Sequence, residues 1–221
     1  MRDYVEEICQ KLQFPGEAQE ELCSAWERIE ATEDALPVWQ RWIAAYDRDI
    51  QMDYAKALEE TQEASALAKV HPYTSGLLLF LCLSKHLEEL YRERGISERI
   101  FLDSCLDMKW KLFECRKVYG IWGSFVAWWF PGFFQLTRFA LGRLQFELVD
   151  FPAEYEAAGR KAPAGLKRAV NMHIPSCGKL TREACEASFR QAAAFFDDVF
   201  PEGTVAFCCT SWLLFPDHRQ M

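Results

Sequence analysis

The sequence predicts an α+β chain with α/β character in its second half. A helical N-terminal domain spans 1–117, an aromatic connecting segment spans 118–137, and a small mixed α/β unit spans 138–221. Three observations predict this. Apolar residues recur at helical spacing through the first half. Residues 118–137 then carry no charged side chain. Residues 171–215 finally read as strand, glycine-bearing turn, helix and strand.

In the first half, Pro15-Gly16 separates the first helix from the second, which places Ala18, Leu22, Ala25 and Ile29 on one face. Thr32 is suited to cap the third, with Leu36, Trp39, Ile43 and Tyr46 inward. A longer helix from about Asp49 uses Tyr54, Leu58, Thr61, Ser65 and Ala68. Pro72 suits the start of the next, whose stretch Leu77–Leu83 is apolar all round and therefore central. Gly95 ends it. Ser97 caps a last helix, striped by Phe101, Cys105, Met108, Leu112, Cys115 and Tyr119.

The run 118–137 is long enough to raise the membrane question. Its glycines, Pro131 and aromatics, from Trp122 and Phe125 to Phe133 and Phe134, suit a buried helix ending near Pro131 better than a span. Core packing is its expected job, with an aromatic pocket wall as the other reading. Residues 139–149 then read as a strand with Leu144, Phe146 and Leu148 on one face and Arg143, Gln145 and Glu147 on the other. Residues 152–166 read as a loop and 169–174 as a short strand stopped by Pro175. Thr181 caps a helix over 182–199, with Cys185, Phe189, Ala192, Phe196 and Val199 inward. Pro201-Glu-Gly203 leads into a strand over 204–215, and the interval suits a parallel crossover.

Charge narrows the choice of partner. Residues 1–117 hold 15 Lys+Arg against 23 Asp+Glu, a net of -8, and 118–221 hold 10 against 10. Neither half carries a basic run that tracks a phosphate backbone, so no nucleic-acid partner is expected. The nine cysteines are odd in number and lack a disulfide rhythm, and the opening Met1-Arg-Asp-Tyr-Val is unlike a signal peptide. Reduced thiols and a cytoplasmic location are expected.

The candidate chemistry lies in the second half. A helix N-terminus presents unpaired N–H groups and the positive end of the helix dipole, which suits a phosphate. Here the turn Ser176-Cys177-Gly178-Lys179, with Thr181, would supply backbone approach, charge and amide donors; an ordinary capped loop uses the same residues. His173, just before that turn, is a candidate general base or simply a half-buried His. Glu147 is the other candidate base, its pKa expected to rise toward neutrality among apolar walls, or simply an exposed carboxylate. Ser211 suits orientation of a thioester, or plain packing. A metal site is not expected, because the adjacent Cys208 and Cys209 point to opposite faces of a strand. A Cys–His nucleophile pair is a further reading.

Three strings act together: His173-Ile-Pro-x-x-Gly178-x-Leu-Thr181, then Ala192-x-x-Phe-Phe-x-x-x-Phe-Pro201, then Cys209-x-Ser-Trp-Leu-Leu214. With Arg138-x-x-Leu-Gly-Arg-Leu-Gln-Phe-Glu147 they resemble the GNAT-like acyltransferase proteins of Firmicutes and related bacteria, in which a helical N-acyltransferase N-terminal domain precedes a GNAT-like C-terminal domain. The resemblance covers roughly 138–215 by motif and 1–117 by architecture. It implies a GNAT-like sheet; family members run on past the Ser-Trp-Leu-Leu strand, so the expectation is a sheet whose far half is either incomplete at the C-terminus or supplied otherwise. The turn carries one glycine where the GNAT pyrophosphate signature carries two small residues. The resemblance implies N-acyl transfer to a small amine, with acetyl-CoA or another acyl-CoA as co-substrate. The alternative is a non-catalytic ligand-binding or interaction module that keeps the fold.

Overall fold

The structure is a computed structural model and describes residues 1–151, 167–200 and 205–211. The chain divides into two compact units, Met1–Gln135 and Leu136–Met221. The expected loop over 152–166, the turn at 201–203 and the outer part of the strand expected over 204–215 lie outside the described residues.

The first unit is helical: α1 (Arg2–Lys11), α2 (Gly16–Glu30), α3 (Leu36–Arg48), α4 (Tyr54–Leu67), α5 (Pro72–Glu93), α6 (Glu98–Tyr119) and the single turn α7 (Pro131–Phe134). α5 packs against each of the other six. That follows from its sequence, since Thr74 to Ser84 are all buried and no polar stripe faces water there. Pro72 sits at its first position and Gly95 follows its end at φ 67°. Ser97 caps α6 through Ile100 N, 3.4 Å away. Thr32 does not cap α3 as expected; its hydroxyl donates to Arg28 O at 2.8 Å and finishes α2 instead.

The aromatic run differs from expectation in form. No buried helix ends at Pro131; Pro131 opens α7, where its missing N–H costs nothing. Phe130 and Phe134 pack on Phe80 of α5 at 5.2 and 4.8 Å between ring centroids, and Tyr46 Oη donates to Phe134 O at 2.9 Å. Gly123 lies so close to the backbone of Tyr73 and Thr74 that a Cβ there would collide. Phe130, Phe133 and Phe134 therefore belong to the core of the first unit. No single helix among the described residues is long and apolar enough to cross a membrane.

The second unit is a sheet of β1 (Arg138–Leu141), β2 (Leu144–Asp150), β3 (Arg168–His173) and β4 (Phe207–Cys208), in that order, with α8 (Arg182–Phe195) between β3 and β4. The first two pairings are antiparallel; β3 and β4 are parallel, as the crossover predicts. The expected single strand 139–149 is a hairpin instead. It turns at Gly142-Arg143, where Gly142 takes φ 75°. Alternation then gives the sheet two unlike faces. Phe139 meets Phe195 at 4.7 Å, and Phe146 meets Phe189 at 5.7 Å, so this face packs on α8. Val199 does not join that interior but is 40% exposed, because α8 gives way to a short 3-10 turn at 197–199; Ala192 is fully buried as expected, and Ser188, not among the expected inward residues, is fully buried with it.

Candidate functional site

The opposite face of the sheet carries a polar row. The register sets Arg138 across from Glu147, Glu147 across from Asn171, and Asn171 across from Cys208, one residue on each strand. Two residues on, the next row pairs Ala140 with Gln145 and Gln145 with His173. Arg138 and Gln145 are buried, at 7% and 3% exposure. Glu147 Oε2 accepts from Arg138 Nη2 at 2.9 Å and lies 2.9 Å from His173 Nε2. Asn171 Nδ2 lies 3.5 Å from the same ring nitrogen, and the Cys208 thiol donates weakly to Asn171 Oδ1 at 3.8 Å.

This geometry brings together two candidates, His173 and Glu147, but corrects the role expected of the second. Burial pushes the Glu147 carboxyl up, as expected. The hydrogen bond with His173 and the charge and hydrogen bond of Arg138 outweigh it and hold the carboxyl below its ordinary value. Glu147 is therefore an ionised partner rather than a proton acceptor near neutrality. An ionised carboxylate only accepts, so Nε2 of a neutral His173 carries the hydrogen shared with it. That tautomer makes Nδ1 the basic nitrogen of the ring. Burial pushes the Cys208 and Cys209 thiols up, which disfavours the thiolate that a cysteine nucleophile needs.

His173 leads directly into the turn to α8. Thr181 is the N-cap, and its Oγ1 accepts from Ala184 N at 3.3 Å, as expected. Gly178 has φ 66°, and a Cβ on it would meet nothing within 4 Å, so its backbone faces open space. Ser176 and Lys179 are exposed and Cys177 is half-buried. Ser211, also half-buried, lies past the end of β4 rather than within it. β3 continues to His173, whereas among the described residues the β3–β4 register runs over Val170–Phe207 and Asn171–Cys208. His173 and the turn thus stand outside the carboxyl ends of the paired parallel strands, where ligands bind in α/β sheets.

Sequence reasoning missed Arg143, Arg138 and Asn171. Arg143 reaches back over the turn and donates to Pro175 O, Gly178 O and Lys179 O at 3.0, 3.0 and 3.1 Å. Leu-Gly-Arg-Leu between alternating apolar residues was the available hairpin signal.

The N-acyltransferase N-terminal domain family matches residues 3–136, well over half of the chain. The chain belongs to that family. The GNAT-like C-terminal domain family matches the chain over 138–221. No curated protein matches it in sequence. Among solved structures, it is similar to an acyltransferase in complex with decanoyl-CoA, with a TM-score of 0.72 at 22% identity. It is also similar to an acyltransferase in complex with decanoyl-CoA and teicoplanin, with a TM-score of 0.70 at 22% identity. In both comparisons the match covers 98% of this chain and 64% of the other, so the chain spans under two thirds of their length. At that identity the likeness shows the fold: a helical N-terminal domain followed by a small mixed GNAT-like sheet.

Proposed function

We propose that this N-acyltransferase-family chain transfers an acyl group from acyl-CoA to the amine of a small molecule. The observation that carries the reading is the Arg138–Glu147–His173 cluster at the carboxyl end of β3, immediately before a helix N-terminus whose turn is open at Gly178. The phosphates of CoA would lie at that N-terminus, on the amides of the turn 176–181. The thioester would then lie beside the strand ends near His173.

The reaction needs little from the protein beyond position and a proton acceptor. The amine nitrogen attacks the thioester carbonyl carbon and forms the C–N bond. His173 Nδ1 takes the proton released from nitrogen, and Glu147 stabilises the imidazolium through Nε2. Collapse of the tetrahedral intermediate breaks the C–S bond and expels CoA as thiolate, which takes the proton back from the His173 imidazolium to become the thiol and leaves the ring neutral for the next turnover. Arg138 donates to the same Oε2 that meets His173, so the carboxylate oxygen is fixed and holds one ring orientation through the cycle.

The family resemblance and the CoA-bound neighbours support acyl-CoA as co-substrate. One observation favours a second reading. Glu147 is already neutralised by Arg138, as in an ion cluster that only holds strands together. A binding module that keeps the fold would retain such a pair. Incubation with acyl-CoAs from two to ten carbons and a panel of small amines separates the two. Free thiol appearing in step with amide product supports transfer, whereas saturable acyl-CoA binding without thiol release supports the binding module.

A further inference from the structure

We infer that Arg143, at the tip of the β1–β2 hairpin, is a positioning residue that shapes the turn 175–180 for a pyrophosphate; the inference rests on the acyl-CoA reading above. The arginine side chain spans three carbonyls of the turn: Pro175 and Gly178 through the two terminal nitrogens and Lys179 through Nε. Nη1 also lies 3.4 Å from Cys177 Sγ. In a trans peptide the carbonyl of one residue and the N–H of the next point in opposite directions. Drawing Gly178 O and Lys179 O onto Arg143 therefore turns the amides of Lys179 and Leu180 away from it. Those two amides precede Thr181 and the first turn of α8, so they extend the donor array of the helix N-terminus. The guanidinium adds its own positive charge behind the turn.

The hairpin tip is built to hold this side chain in place. Ser188 of α8 is fully buried, and its Oγ accepts from Arg143 N at 2.7 Å and from Leu144 N at 3.3 Å. Gly142 passes so near that a Cβ on it would stand 2.7 Å from that oxygen. The main chain of residue 143 is thus fixed by α8 independently of its side chain, and a substitution at 143 leaves the hairpin anchored. Lysine cannot replace the fork, because one ammonium on a flexible stem does not reach three fixed carbonyls at once.

The test compares CoA with pantetheine, which shares the thiol arm but lacks the pyrophosphate and nucleotide, on the parent, Arg143→Gln and Arg143→Lys, with Tm recorded for each. A turn that must be reordered on binding loses preorganisation, so CoA affinity falls on the order of tenfold in Arg143→Gln. Pantetheine affinity is expected to hold, Tm to stay near the parent's, and Arg143→Lys to recover little. Equal losses for both ligands, or unchanged CoA affinity, overturn the inference by leaving Arg143 a structural role only. Full recovery in Arg143→Lys overturns it as well, because charge alone would then suffice. A parent that binds CoA no better than pantetheine withdraws the phosphate seat itself, a failure visible before any variant is made.

Discussion

Phe139 and Arg138 are neighbours in sequence and both are buried, yet they do opposite things. Phe139 lies on Phe195 and Phe196 of α8, one of several rings that share that face. Arg138 faces the other way and reaches Glu147 across the strand pair. The apolar face is held by area, which is roughly additive and indifferent to direction. The polar face is held by pairing, where each charge is tolerable only because another stands about 3 Å away. The first face makes the sheet stable; the second makes a particular atom, Nδ1 of His173, the basic one.

The largest expected effect breaks the apolar face. Phe146 is fully buried between Phe189 and Phe207. Phe146→Ala should cost about 3–5 kcal/mol, the usual range for emptying a core aromatic site. Chemical denaturation measures it directly, and a loss below about 1 kcal/mol would mean that the face is loosely packed.

The difference between the faces also explains what was legible in the sequence. Helices α5 and α6 and the apolar face of β2 announce themselves by period, because burial of a stripe requires apolar residues at fixed spacing. Glu147 and His173 were visible as polar residues on strands flanked by apolar ones. Their meeting was not, because it depends on the β2–β3 register, which places Gln145 rather than Glu147 directly opposite His173. The lowered Glu147 pKa was misjudged for the same reason: its neighbour Arg138 comes from a strand hidden when 139–149 reads as one element. Pro131 misled because a proline in an aromatic run reads equally as a helix stop or start.

A smaller effect probes the polar face. Glu147→Gln removes the countercharge that Arg138, at 8% side-chain exposure, now has beside it. A stability loss of about 1–3 kcal/mol is expected from the weakened charged hydrogen bonds. The same pair has a pH signature. The folded-state pKa of Glu147 lies below its ordinary value of 4.5, so its contribution is fully present above that value. It is lost as pH falls through the folded-state value. The parent should therefore lose more stability than Glu147→Gln as pH is lowered from about 5 toward 3. Parallel acid limbs in the two proteins would show that the carboxylate gains nothing from its partners.

The most direct test of the proposed chemistry is a paired measurement of kcat and acyl-CoA affinity in parent and His173→Ala. His173 stands before the turn assigned to the phosphates rather than within it, so its removal should spare binding. It carries the only nitrogen assigned as proton acceptor, so kcat should fall about a hundredfold or more. A fall in kcat with unchanged affinity is the predicted result. A His173→Ala protein that turns over at the parental rate would contradict it, and would leave the Arg138–Glu147–His173 cluster with a purely structural role.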